Sequence, residues 1–247
     1  MRLSIFMINS KIKVCIICPG DDEYLFCKKI LKLDNETELA GRLISSRKEK
    51  DIEVIVVKAG EGRICCASAS QLIIDKFGPD FIFDIGTSGS LTENLSTNDI
   101  VCAEYSFEYN IGTGKELVKP PSDFKTWTIL NKVSSKEALK VFSNWVEKNM
   151  RAIIKVGNIA SGEKDVDNKE LSQELQEKFN AIACNWETSS VLKTAQLNGT
   201  KSFSFRVITD YADKHMIVDY NANRKKALEV MFPVLNIFIF EGWINKI

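Results

Sequence analysis

The sequence predicts an α/β fold built as a single domain. Runs of β-branched and apolar residues alternate along the chain with amphipathic stretches, the pattern left by strands alternating with helices. At 247 residues the chain can bury one large core. It has no internal repeat, low-complexity segment or shift in composition that would mark a second domain.

Strands are expected at residues 13–18, 39–46, 52–58, 81–85, 99–105, 153–159, 181–184 and 202–208. Helices are expected at 23–31, 63–77, 135–148, 168–178, 188–197 and 221–241. The first strand is the apolar run Val14-Cys15-Ile16-Ile17-Cys18, and the acids Asp21, Asp22 and Glu23 open the helix after it, a favourable placement at the positive end of a helix dipole. Gly60-Glu61-Gly62 follows the strand at 52–58 and starts a helix of small residues. Two readings stand for it, a tight strand-to-helix turn or part of a dinucleotide fingerprint with its third glycine missing. Asp84-Ile85-Gly86-Thr87-Ser88-Gly89 reads as a turn ending the run at 81–85. Its glycines would let backbone approach a ligand, and Thr87 and Ser88 would offer hydroxyl and N–H groups. Residues 111–124, with Gly112, Gly114, Pro120 and Pro121 and no clear period, read as a long loop of the lid or interface kind. The last helix carries Ala227, Met231, Val234, Leu235 and Phe238 at helical spacing, a stripe for packing on the sheet. Pro233 inside it is expected to kink or split it.

Composition excludes several function classes. Apolar residues make up 45% and charged residues 27%, and 33 cationic side chains balance 33 acidic ones. There is therefore no basic footprint for nucleic acid and no polybasic membrane patch, and no apolar run approaches the roughly 20 residues that span a bilayer. Residues 1–12 begin like a weak signal peptide, but Asn9, Ser10 and Lys11 cut it short and no small-residue cleavage site follows. They are expected to form an irregular extension or an extra edge strand before a catalytic domain at 13–247. The seven cysteines lie mostly in apolar runs without paired zinc-finger spacing, which fits buried thiols in a reducing compartment, the cytoplasm. Cys15 and Cys18 form a C-x-x-C within a strand pattern, so their sulfurs point to opposite faces. With one histidine, His215, a His-dependent triad or a multi-His metal site has no material to be built from.

Two carboxylates stand out. The run Phe203–Ile208 ends at Thr209-Asp210, and the short run Ala181–Cys184 ends at Asn185-Trp186-Glu187. Ligands of open α/β sheets bind at the carboxyl ends of strands, so Asp210 and Glu187 are candidates for an acid/base pair. Each is also an ordinary residue for a turn or a helix start.

Taken together, five motifs resemble the purine nucleoside phosphorylase and nucleosidase family. In order they are Lys58-Ala59-Gly60-Glu61-Gly62, Gly78 through Gly89, Ala160-Ser161-Gly162-Glu163, Trp186-Glu187-Thr188-Ser189 and Arg206-Val207-Ile208-Thr209-Asp210-Tyr211-Ala212-Asp213. The nearest likeness is to the methylthioadenosine/S-adenosylhomocysteine nucleosidase branch, and it runs from about Lys13 to the C-terminus. The resemblance implies a three-layer α/β/α domain with a central mixed, twisted sheet. It implies hydrolysis of the N-glycosidic bond of a purine nucleoside, with adenine as the expected base and no metal or organic cofactor.

Site roles carry over position by position. Asp210, in the Arg206-x-x-Thr-Asp pattern, would be the acid that protonates purine N7, so its pKa should be raised. Glu187 would hold the ribose hydroxyls and support the oxocarbenium charge; Trp186 replaces the family's usual methionine before it. Glu23, aligned with the acid after the first strand, would activate water, which completes a two-carboxylate arrangement on an N-glycoside. Its alternative role is to open the helix together with Asp21 and Asp22.

The choice of nucleophile is expected to be water. Pro19-Gly20-Asp21 resembles the start of the phosphorylases' G-D-P-x-R loop, but Tyr24 stands where that loop's arginine would be. Asp84 stands where a second phosphate-binding arginine precedes the glycine turn in hexameric phosphorylases. Carboxylates in place of guanidinium groups repel phosphate. At the base end, Asp165 replaces the usual stacking aromatic and Val166 takes the aliphatic position, so Phe107, Tyr109 or the 111–124 loop would supply the missing surface, or the base is not adenine. The segment Glu104–Tyr109, where the branch carries a Tyr-His-Asp run, reaches a neighbouring subunit in relatives and implies a homodimer. A futalosine-type hydrolase, a phosphorylase and a nucleoside-binding protein on the same fold remain the other readings.

Overall fold

The structure is a computed structural model describing residues 12–111 and 125–247. Its strands are β1 (Ile12–Cys18), β2 (Asn35–Leu39), β3 (Arg42–Glu49), β4 (Ile52–Lys58), β5 (Phe81–Ser90), β6 (Ile100–Glu108), β7 (Lys125–Trp127), β8 (Ile154–Ser161), β9 (Ala181–Asn185) and β10 (Lys201–Asp210). Its helices are α1 (Asp21–Ile30), α2 (Arg63–Phe77), α3 (Val133–Met150), α4 (Lys169–Phe179), α5 (Thr188–Leu197) and α6 (Met216–Phe240). Among the described residues no helix is long and apolar enough to cross a membrane.

All ten strands join one mixed, twisted sheet, as expected. β1 lies between β4 and β5, parallel to both, and β5 pairs in parallel with β10. The β2–β3–β4 wing is antiparallel. On the other side β10, β6, β8, β9 and β5 pair in a ring, because β10 bonds both β6 and β5. Helices cover both faces. Val14, Ile16 and Cys18 of β1 pack with Tyr24 and Cys27 of α1, Phe142 of α3 and Met231, Leu235 and Phe238 of α6. Cys15 and Ile17 pack on the opposite face with Ala69 and Ile73 of α2 and Val191 and Ala195 of α5. Cys15 and Cys18 thus lie on opposite faces, as strand alternation requires.

The same alternation shapes the strands that carry the site. Phe203, Phe205 and Val207 of β10 face the α6 side with Phe81, Phe83 and Ile85 of β5. Their rings form a cluster in which Phe238 lies 5.2 Å from Phe203, 5.3 Å from Phe205 and 6.1 Å from Phe83. Each such pair contributes about 0.5–1.5 kcal/mol beyond its buried area, so β5 and β10 are firmly seated beneath the site they end in.

Several expectations need correction. The strand expected at 39–46 is two strands, β2 and β3, joined at Ala40 and Gly41, whose φ angles of 49° and 71° turn the chain back on itself. The glycine turn expected after residue 85 is not a turn, because β5 runs on through Gly86 and Gly89 to Ser90. Pro233 does not split the last helix, which is continuous from Met216 to Phe240. Its neighbours Met231, Phe232, Val234 and Leu235 are all buried, and that packing offsets the roughly 3 kcal/mol cost of an interior proline. β7 was not expected, and the Gly60–Gly62 segment is a β4-to-α2 connection. Apart from Ile12, which begins β1, and Ile111, the expected extension at 1–12 and the expected loop at 111–124 lie outside the described residues.

Candidate active site

A cavity of about 400 Å³ opens at the carboxyl ends of β1, β5, β8, β9 and β10, with α6 as its remaining wall. Its size and position suit a small organic ligand. Glu23, Glu187, Asp210, Thr87, Ser88, Trp186, Asp165, Val166 and Arg206 all line it, so the fold brings together every side chain expected there from the sequence.

Glu187 ends the β9 connection and starts α5. Asn185 organises that junction. Its Oδ1 accepts the N–H groups of Glu187 (3.1 Å) and Thr188 (3.0 Å), while its Nδ2 donates to Ser88 Oγ (3.0 Å) and Thr188 Oγ1 (2.8 Å). The Glu187 carboxylate then accepts the Gly62 N–H at 3.1 Å on Oε1 and Arg206 Nη1 at 3.2 Å on Oε2. Two of its roughly four acceptor positions remain for ligand hydroxyls. Burial pushes its carboxyl above the usual range, while Arg206 pulls it down.

Asp210 ends β10. Its Oδ1 accepts the Ala212 N–H at 3.0 Å and its Oδ2 the Thr209 hydroxyl at 2.9 Å. Burial raises its pKa against both of these donors, the direction needed by a group that must hold a proton at neutral pH. Glu23 lies in the first turn of α1 with Asp21 and Asp22, so it sits at the helix start and at the cavity together. It is 6% exposed. Burial raises its pKa, Arg206 opposes this, and the nearby Glu187 adds to it.

Gly86 and Gly89 make room for side chains, and Gly89 also lines the cavity with Thr87 and Ser88. A Cβ on Gly89 would lie 2.7 Å from Asp210 Oδ1, and one on Gly86 would lie 2.7 Å from Arg206 Nη1, closer than atoms can pack. Gly86 also has φ of 146°, a conformation L side chains rarely adopt.

Asp84 does not face the cavity. It is fully buried on the α2/α5 side of β5, where its carboxylate accepts Arg206 Nε (2.9 Å) and the hydroxyls of Thr188 and Ser204 (both 2.7 Å). Its repulsion of an entering anion is thus spent on Arg206, and that part of the phosphate argument needs correction. The rest holds. Tyr24 points into the core, its hydroxyl 2.7 Å from Ser45 Oγ and donating to Glu36 at 2.8 Å. The cationic side chains on the cavity are Lys164, Arg206 and Arg224, and the last pairs with Asp22 at 3.2 Å. Five carboxylates share the wall with them, because Glu61 joins Glu23, Asp165, Glu187 and Asp210.

Three aromatics line the cavity, Tyr109, Trp186 and Tyr220; the Tyr109 hydroxyl donates to the carbonyls of Gly162 (3.2 Å) and Lys164. Phe107 instead packs on Phe179 at 5.4 Å. Trp186 is 36% exposed at the rim. Sequence reasoning missed Asn185, although it directly precedes Trp186-Glu187. Glu163, quoted in a motif but given no role, accepts the Arg63 N–H on its Oε1 (2.6 Å) and so caps α2 where Gly62 meets Glu187.

Fold and cavity together define a small-molecule α/β protein whose buried carboxylates converge at strand ends. The chain belongs to the Phosphorylase superfamily, whose family model matches residues 13–239. It is similar to the 5′-methylthioadenosine/S-adenosylhomocysteine nucleosidase of Bacillus pumilus, 25% identical over 221 residues that cover 85% of this chain and 90% of that protein. The enzyme of the same name from Staphylococcus aureus is 27% identical over 222 residues, covering 86% and 92%. Among solved structures, Helicobacter pylori futalosine hydrolase superposes with a TM-score of 0.81 at 22% identity, covering 96% of this chain and 99% of that one. A mutant of the H. pylori methylthioadenosine nucleosidase with 5′-methylthioadenosine in its active site also gives 0.81, at 21% identity and 95% and 99% coverage.

Proposed function

We propose that this protein is a purine nucleoside N-ribohydrolase that acts on adenine nucleosides of the 5′-methylthioadenosine and S-adenosylhomocysteine kind. The observation that carries the reading is the meeting of Glu23, Glu187 and Asp210, all buried, in one cavity at the strand ends. The names of the B. pumilus and S. aureus relatives support the substrate class.

In this reading Glu187 accepts the ribose hydroxyls with its two remaining acceptor positions and faces the sugar as positive charge develops at C1′. Asp210 gives its proton to N7 of the base as the C1′–N9 bond breaks. Glu23 takes a proton from water as the water oxygen bonds to C1′. The products are the free base and the free sugar, and each proton is accounted for. The carboxylate-rich wall favours a neutral nucleophile over phosphate. Arg206 acts on Glu187 and not as an anion grip, since Asp84 and Glu187 hold it. The protein works as a cytoplasmic homodimer in this account.

Asp165 on the cavity wall, where relatives place a stacking aromatic, favours a second reading. A carboxylate accepts from a ring N–H as well as from an amino group, so a futalosine-type hydrolase acting on a 6-oxopurine nucleoside is the alternative. Chromatography of base released from 5′-methylthioadenosine, S-adenosylhomocysteine, adenosine and inosine, without phosphate, tests both. Adenine from the first two is the expected result. Hypoxanthine alone would favour the alternative, and no base from any of them would refute hydrolysis of these nucleosides.

A further inference from the structure

Asp84 does not line the cavity that the end of its own strand, β5, helps to form, yet it is tied to Glu187 by two routes. β5 and β10 pair in parallel with Ser204 beside Asp84 and Arg206 beside Gly86, so Asp84, Ser204 and Arg206 share a face. The Asp84 carboxylate takes the Nε and Nη2 edge of the Arg206 guanidinium in a two-point grip. A guanidinium is planar and rigid, so fixing that edge fixes the direction of Nη1. Nη1 donates to Glu187 Oε2 at 3.2 Å and to the Thr87 carbonyl at 3.3 Å. The second route runs through the backbone, because Thr188, the residue after Glu187, donates its hydroxyl to Asp84 Oδ2 at 2.7 Å.

Stability alone does not account for this arrangement. Burying an ion pair gains little over well-packed apolar residues, and both Asp84 and Arg206 are essentially unexposed. What the pair supplies is geometry. We propose that Asp84 is a positioning residue for Glu187, setting through Arg206 and Thr188 where that carboxylate meets the ribose hydroxyls. The proposal rests on the reading of Glu187 as the sugar-binding residue.

The test compares adenosine with 2′-deoxyadenosine, which lacks one of the hydroxyls Glu187 would hold. Asp84→Asn keeps the shape and can keep one bond to Arg206, but breaks the two-point grip. It should lower kcat/KM for adenosine about tenfold, the loss of one hydrogen bond to a charged group, and change that for 2′-deoxyadenosine less than about threefold. A merely structural role would lower both alike. In a Glu187→Gln background the Asp84 change should add nothing, since both act on one contact. If Asp84→Asn fails to fold, Arg206→Lys keeps the charge and loses the fork, and the same selective loss is expected from it.

Equal loss on both substrates, or no loss on either, overturns the proposal. The outcomes also separate its failure from that of the underlying reading. If Glu187→Gln leaves the discrimination between the two nucleosides intact, the role of Glu187 is wrong. If Glu187→Gln abolishes the discrimination while Asp84→Asn and Arg206→Lys preserve it, the positioning role alone is wrong.

Discussion

Asp210→Asn separates proton donation from every other property of the site. The amide has the shape of the carboxyl, and its oxygen can still accept the Ala212 N–H that Asp210 Oδ1 now accepts at 3.0 Å. Its NH2 would face Thr209 Oγ1, which donates to Oδ2 at 2.9 Å; that hydroxyl can instead accept from the amide and donate to the Ser88 carbonyl, 3.4 Å away. Nothing buried is left unpaired, and a group whose ionised form is disfavoured by burial is replaced by a neutral one. Folding stability should therefore stay within about 1 kcal/mol of the parent. Only the transferable proton is lost. General acid catalysis contributes about 10²–10⁴-fold, or roughly 2.7–5.4 kcal/mol of barrier. The expected outcome is a fall of that size in kcat for adenine release, with the affinity for 5′-methylthioadenosine by calorimetry and the unfolding midpoint both little changed. A variant that folds and keeps kcat within a factor of ten would refute the assignment of Asp210 as the acid.

Glu23→Gln should also bind nucleoside and fail to turn it over, measured in the same pair of assays. The raised carboxyls of Glu23, Glu187 and Asp210 also fix the sign of a stability effect. Between the unfolded carboxyl range near pH 4 and their higher folded values, the folded protein holds protons there that the unfolded chain has released. Their contribution is thus full below the unfolded carboxyl range near pH 4 and is lost as pH rises through the folded values. Thermal unfolding should show Glu23→Gln gaining stability over the parent at pH 8 but not at pH 4; a gain equal at both would contradict the buried, ionisable Glu23. Phe238→Ala removes the ring shared by Phe83, Phe142, Phe203 and Phe205 and should cost about 3–5 kcal/mol. That is a drop in melting temperature of roughly 6–20 °C for a chain this size, and a drop of a degree or two would mean the cluster is not what seats β5 and β10.

The order of strands and helices was legible because β1, β4 and the first half of β5 are largely apolar runs, as buried strands are, and because Asp210 ends β10 and Glu187 follows β9 closely. Elements without such runs were not. β2 reads Asn-Glu-Thr-Glu-Leu with four of its five residues exposed, and β7 is three residues long, too short for any period to register. The site was legible one residue at a time, through Glu23, Glu187 and Asp210, and illegible as a network. Asp84 and Arg206 are 122 positions apart, and only the register of β5 on β10 places them together. Gly86 and Gly89 were read as a turn for a ligand because glycine signals close approach without saying what approaches. Here it is Arg206 and Asp210.

In the proposed reaction, water activated in a cavity of carboxylates cleaves the nucleoside. Its most direct test is base release from 5′-methylthioadenosine in phosphate-free buffer made with ¹⁸O-water, with mass analysis of the sugar. Free adenine and a free sugar carrying one ¹⁸O at C1 are expected, at a rate that added phosphate does not increase. Adenine appearing only when phosphate is present, together with a sugar 1-phosphate, would contradict it.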